Sequence, residues 1–230
     1  GKYDEATPLY VRAMAIDDKV YGPDHPEVAT DLNNRAGLLK KQGNFAEAEP
    51  LFERCQAIFE NTFGPEHPHV ATTLNDQAGL LKSQGKYAEA ELLFERSQAI
   101  YEIALGPEHP HVATTLNNRA VLLEKQGKYA EAEPLYKRCQ AIEEKILGPE
   151  HPSLATTLNN RAGLLTEQGK YEEAEPLYQR LLAIHEKVHG PDHPAVATAL
   201  NNWAPLLKSQ GNYGEAEGLY KRSLAIREKV

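Results

Sequence analysis

The stretch Gly64-Pro65-Glu66-His67-Pro68-His69-Val70-Ala71-Thr72-Thr73-Leu74-Asn75 decides the fold, because near copies of it begin at Gly22, Gly106, Gly148 and Gly190. The spacing is 42 residues each time. A fixed period of this size marks stacked repeats, in which each unit buries its apolar face against its neighbours. From Gly64 the unit runs on through the turn Gln84-Gly85-Lys86-Tyr87 and a second amphipathic segment, 88–105. Residues 1–21 align with the second half of later units: Tyr3, Ala6, Pro8, Leu9 and Tyr10 match Tyr87, Ala90, Leu92, Leu93 and Phe94. The expectation is one array over 1–230, made of a truncated unit, 1–21, and five helix pairs, 22–63, 64–105, 106–147, 148–189 and 190–230. Eleven helices are predicted.

Each first helix should begin at the proline of His-Pro, since proline at the first helical position forfeits no intrahelical hydrogen bond and has its φ pre-set. Pro26, Pro68, Pro110, Pro152 and Pro194 all satisfy this. Val28, Leu32, Ala36 and Leu39 then recur at the spacing of one helical face. The helix should stop at Gly43, where a left-handed residue reverses the chain, and Gly85, Gly127, Gly169 and Gly211 repeat the signal. In the second helix Ala48, Phe52, Cys55 and Phe59 form the buried face, with Leu51 and Ile58 beside it. Pro50, Pro134 and Pro176 sit inside that helix, where a slight bend is expected.

Composition narrows the function classes. Of 230 residues, 25% are charged and 41% hydrophobic, an ordinary balance, and no apolar run is long enough to span a membrane. A net charge of −8 argues against the basic surface that nucleic acid requires. Cys55 and Cys139 hold the same slot two repeats apart, and Ser97, Leu181 and Ser223 replace them elsewhere. They read as small core residues out of disulfide reach. Two unpaired thiols, and a start without the basic and apolar regions of a signal peptide, point to a cytoplasmic location.

The pattern Leu116, Ala120, Leu123, Gln126-Gly127, Tyr129, Ala132, Tyr136 resembles the tetratricopeptide repeat. The 42-residue length, the Gly-Pro-Glu-His-Pro loops, Leu-Asn-Asn and Ala-Glu-Pro-Leu-Tyr-Lys-Arg resemble, more narrowly, the tetratricopeptide array of kinesin light chains. The resemblance covers the whole chain. It implies an all-α, tetratricopeptide-type α-solenoid, a right-handed superhelix of antiparallel helix pairs whose first helices line a concave groove. Where the family usually has leucine this chain has Arg35, Gln77, Arg119, Arg161 and Trp203. The arginines should snorkel past the core and pair with acids such as Glu49, Glu133 or Glu175; Trp203 should fill the slot with its ring.

By the same resemblance the polar face of the first helices carries the groove: Asn33, Asn75, Asn117, Asn159 and Asn201, their neighbours Asn118, Asn160 and Asn202, and Lys40, Lys82 and Lys125. An amide offers donors and an acceptor, so such a ladder could hold the backbone of an extended peptide whatever its sequence. The same amides could instead bond to neighbouring helices and fix the stacking. Lysines on this face would favour an acidic partner, although Glu124 and Glu167 interrupt the track. Gly37, Gly79 and Gly163 would allow close approach of a ligand.

His25, His67, His109, His151 and His193 precede the first helices and read as cap residues rather than metal ligands, because no fixed third ligand accompanies them. No phosphate loop, nucleophile elbow or His-Glu-x-x-His motif is present, and no cofactor or enzymatic activity is expected. Two functions remain: a non-catalytic adaptor holding a protein or peptide in the groove, or a structural spacer that self-associates end to end.

Overall fold

The computed structural model describes residues 3–229, without the side chains of residues 3–7, 10, 13 and 14. The match of Tyr3, Ala6 and Tyr10 to later repeats, and the terminal Val230, therefore lie outside the described residues. All regular structure described is helical, in eleven helices: α1 Tyr3–Tyr21, α2 Pro26–Gln42, α3 Phe45–Phe63, α4 Pro68–Ser83, α5 Tyr87–Leu105, α6 Pro110–Lys125, α7 Tyr129–Leu147, α8 Leu154–Glu167, α9 Tyr171–His189, α10 Pro194–Ser209 and α11 Tyr213–Arg227. The chain divides into two compact units, Gly1–Asn118 and Arg119–Val230.

In the first unit α2 packs on α1 and α3, and α4 on α3 and α5; in the second, α8 packs on α7 and α9, and α10 on α9 and α11. Helices α2, α4, α8 and α10 are thus each held between the second helices of their own and the preceding repeat. Val28, Leu32, Ala36 and Leu39 are buried as their period requires, and so are Ala48, Phe52, Cys55, Ile58 and Phe59 across the pair. Helix α3 runs on through Pro50, as α7 and α9 do through Pro134 and Pro176.

Two glycine conformations set the repeat length. Gly43 closes α2 in the left-handed region at φ 82°, and Asn44 N–H bonds Leu39 O at 2.9 Å, so the chain reverses within two residues. Gly64 closes α3 at φ 92° and ψ 159°, a region open essentially to glycine alone. The next histidine then caps the following helix: His67 Nδ1 accepts from His69 N–H at 3.2 Å, and His25 and His193 do the same for Glu27 and Ala195. The bonded Nδ1 must be unprotonated, so each capping ring carries any proton on Nε2.

One helix departs from the expected start. Helix α8 begins at Leu154 rather than Pro152. His151 still accepts from Ser153 N–H at 3.2 Å and Leu154 N–H bonds His151 O, as Val70 N–H bonds His67 O, but Ala155 N–H bonds Pro152 O, three residues back. At the other sites the equivalent bond, such as Ala71 N–H to His67 O, spans four residues. A tightened first turn therefore delays α8.

Candidate functional site

The polar faces of the first helices meet one another through their amides. Asn33 Nδ2 donates to Asp76 Oδ2 at 2.9 Å, Asn118 Nδ2 to Asn75 Oδ1 at 3.1 Å, and Asn202 Nδ2 to Asn159 Oδ1 at 2.8 Å. Each bond ties one first helix to the next, as the stacking alternative anticipated. Asn117 on α6, Asn160 on α8 and Asn201 on α10 are half-buried at the corresponding positions. The pairing leaves capacity over, since an amide provides two N–H donors and a carbonyl with two lone pairs.

Two cavities lie along these faces. In the first unit, one of about 320 Å³ is lined by Asn33, Asn34, Gly37, Lys40, Lys41 and Asp76. Lys40 bends across it: its Nζ is 3.5 Å from Asp76 O, and a Cβ on Gly79 would come within 3.1 Å of that nitrogen. Gly79 therefore makes room for a lysine of the preceding repeat. Gly37, in contrast, faces open space. In the second unit a cavity of about 220 Å³ is lined by Thr156, Asn159, Thr198 and Asn202 over a floor of Leu181 and His185. Burial, then the neighbouring His189 and His193, lower the His185 pKa. Lys82 is half-buried in the last turn of α4 and Lys125 exposed in that of α6. Glu124, which interrupts the lysine track, turns to Tyr136 OH at 3.0 Å, and burial raises its pKa.

Arg161 does not make its expected ion pair with Glu133. Glu133 is taken by Lys137 at 2.5 Å and Lys170 at 2.7 Å, bonds that hold its carboxyl down at about 2, and Glu49 by Lys86 at 3.7 Å. Arg161 Nη1 instead donates to Gln140 Oε1 at 2.7 Å. Lys86 and Lys170, each just before a second helix, reach these acids from the next repeat, and Arg161 turns to a neutral carbonyl. Trp203 packs against the core cluster of α8 to α11 with its indole N–H buried and unbonded.

A second set of arginines, in the slot that closes the Ala-Glu-Pro-Leu-Tyr-Lys-Arg motif, clamps the loops. Arg54 donates to Pro23 O at 2.7 Å, Arg96 to Pro65 O at 3.3 Å and Glu60 at 2.9 Å, and Arg180 to Pro149 O and to Glu144 at 2.5 Å. The recurrence of Arg54, Arg96 and Arg180 was the available signal; their target is a carbonyl 31 residues earlier, which no pattern within one helix discloses.

The histidines stack as well as cap. His67 lies 4.6 Å from Phe63 and His69 5.0 Å from Phe59, while His111 stacks on Tyr101 at 5.0 Å. Burial, reinforced by the adjacent capping histidine, lowers the pKa of His69 and His111. Among the described residues no group of three His, Cys, Asp or Glu side chains could hold a metal ion, and no helix is long and apolar enough to cross a membrane. Cys55 and Cys139 are in no disulfide and are buried against Thr73 and Thr157.

Comparison with known proteins agrees with this geometry. No curated protein matches the chain. A kinesin light chain of Podosopora anserina, described as putative and built of nearly identical tetratricopeptide-like repeats, is 28% identical, with a TM-score of 0.77 over 89% of this chain and 97% of that one. BtubC (BKLC) from P. vanneervenii is 20% identical with a TM-score of 0.83, covering 99% and 90%. YrrB, a tetratricopeptide protein with an unusual peptide-binding site, is 16% identical with a TM-score of 0.54, covering 95% and 92%. The model of the tetratricopeptide repeat matches residues 1–55, 28–103, 84–145, 111–180 and 153–229. With the helix pairs, left-handed glycine turns and 42-residue register already described, that match makes the chain a member of the tetratricopeptide repeat family.

Proposed function

We propose that this chain is a non-catalytic, cytoplasmic adaptor that holds a peptide of a partner protein along the amide-lined faces of its first helices. The observation that carries the reading is the pair of cavities between neighbouring first helices, each lined by asparagine rather than closed by apolar packing. Paired amides such as Asn159 and Asn202 are pre-oriented by their mutual bond, which lowers the ordering cost of presenting their remaining donors to a ligand backbone. The sites are Asn33, Asn75, Asn117 and Asn118 with Lys40 and Lys82 in one unit, and Asn159, Asn160, Asn201 and Asn202 with Lys125 in the other. Lys40 and Lys41 outnumber Asp76 at the first cavity, which favours an acidic ligand there.

The spacer reading draws on the same amide pairs, which tie first helices together. Selection of a random peptide library on the chain separates the two, with Asn117→Ala, Asn159→Ala as control. Ligands that share a motif and are lost in the folded control support the groove. Failure to select any ligand, together with end-to-end association in sedimentation, would sink it in favour of the spacer.

A further inference from the structure

The second helices enclose a cavity of about 340 Å³ in the first unit, roofed by α3 and α5 and floored by α4. Its walls differ in chemistry from the amide faces. Glu49, Glu53 and Glu89 rim it, Leu80 and Leu92 line it, and Gln56 and Gln77 stand within it. Leu92 is 66% exposed, in the slot where other repeats have Pro50, Pro134 and Pro176. Glu53 and Glu89 make no hydrogen bond or ion pair among the described residues, and Lys86 reaches only Glu49.

The chain carries its own copy of this place with a cation inside. Two repeats on, the counterparts of Gln77, Gln56 and Glu53 are Arg161, Gln140 and Lys137. There the Arg161 guanidinium donates to Gln140 Oε1 at 2.7 Å. In the first unit Gln56 donates its own amide to Glu60 at 2.9 Å, and its Oε1 receives nothing from the described residues. Replacing arginine by Gln77 and lysine by Glu53 thus removes two cations from this position and adds an acid, while the acceptor that holds a guanidinium in the sister repeat persists.

We propose that the cavity between α3 and α5 receives an arginine side chain of a partner protein. The guanidinium takes the place of the Arg161 head, donating to Gln56 Oε1 and to the Glu53 and Glu89 carboxylates, and its aliphatic stem lies on Leu80 and Leu92. Arginine suits this better than lysine, because a planar fork can satisfy an amide carbonyl and a carboxylate together while its stem covers apolar surface. The site opens between α3 and α5 and shares no lining residue with the two amide-lined cavities, so it stands independently of them.

The test uses two capped tripeptides, leucyl-arginyl-leucine and its neutral isostere leucyl-citrullyl-leucine, titrated into the isotopically labelled chain by heteronuclear NMR. The arginine probe is expected to shift the Gln56, Gln77 and Leu92 resonances and to bind at least about tenfold more tightly than the citrulline probe. Gln77→Arg, which restores the residue found at positions 35, 119 and 161, should fold and abolish binding by filling the cavity with its own guanidinium. Equal affinity for both probes, undiminished binding by the folded Gln77→Arg chain, or shifts confined to the first-helix asparagines would each overturn the assignment.

Discussion

The bond from Asn202 to Asn159 allows the amide ladder to be weighed as structure. At 2.8 Å between half-buried side chains it should contribute about 1 kcal/mol net, and water can reach whichever partner is left behind. Both residues lie inside helices, α8 and α10, where alanine is preferred over asparagine by about 0.6 kcal/mol. Asn159→Ala or Asn202→Ala alone should therefore destabilise by only about 0.4 kcal/mol, the lost bond being largely offset by propensity. The double variant loses the same bond once and gains the propensity twice, so it should be about 0.2 kcal/mol more stable than the native chain. The coupling is then about 1 kcal/mol, readable from urea unfolding of all four chains at a common slope. Because a repeat array can open in parts, amide exchange in α8 and α10 provides the local reading of the same quantity. Additive single effects, with a double variant less stable than either single one, would refute the claim that these amides tie the helices.

Two glycines should respond to alanine with opposite signs although a new Cβ meets open space at both. Gly64→Ala forces φ 92° on a side chain and should destabilise by about 1–3 kcal/mol, whereas Gly37→Ala inside α2 should stabilise by about 0.5–1 kcal/mol; thermal melts showing the same sign for both would contradict the backbone assignment. His69, His111 and His185 have pKa values below the ordinary 6.5, so the native chain binds fewer protons than the unfolded one. Their contribution is complete above pH 6.5 and is lost as pH falls through 6.5 toward the lowered values. The stability difference between the native chain and the His69→Gln, His111→Gln, His185→Gln variant should shrink from pH 8 to pH 5.5, and a constant difference would exclude the mechanism. Burial pushes the Cys55 thiol up to about 11, so it should resist an aromatic disulfide reagent at pH 8 in the folded chain and react at once in denaturant.

The helices and turns were legible because they rest on local chemistry. Proline at the first position, glycine after the last and an apolar stripe between them appear within one helix, and Pro68, Gly85 and the Val70 to Leu80 face behave accordingly. The histidine caps were legible for the same reason, as they act two residues ahead. The partners of polar side chains were not. Arg161 chose Gln140 over an acid because Lys170 arrives at Glu133 from the following repeat, a competition between positions 37 residues apart. Lys40 crossing Gly79 is likewise a matter of which repeats lie side by side, and Arg96 reaching Pro65 O depends on how the two ends of one repeat meet. The late start of α8 has another origin, since the same His-Pro signal is present and the first turn differs in its bonding and in Leu154, which stands where the other repeats have valine.

The asparagine ties and the lysine bond to Glu133 span 37 to 43 residues, reaching a neighbouring repeat and stopping there, while the arginine clamp on Pro65 O and the Lys229 bond to Asp192 close within a single repeat. Every such contact is therefore specified by a segment of gene about one period long together with its adjacent copy. An in-frame duplication of 42 codons carries its own caps, clamps and ties, and the one new junction, between the two copies, joins the same slots that existing junctions join. Lengthening by unequal recombination should thus be nearly neutral for folding, leaving single departures such as Gln77 and Trp203 as the places where one copy can diverge without asking its neighbours to change.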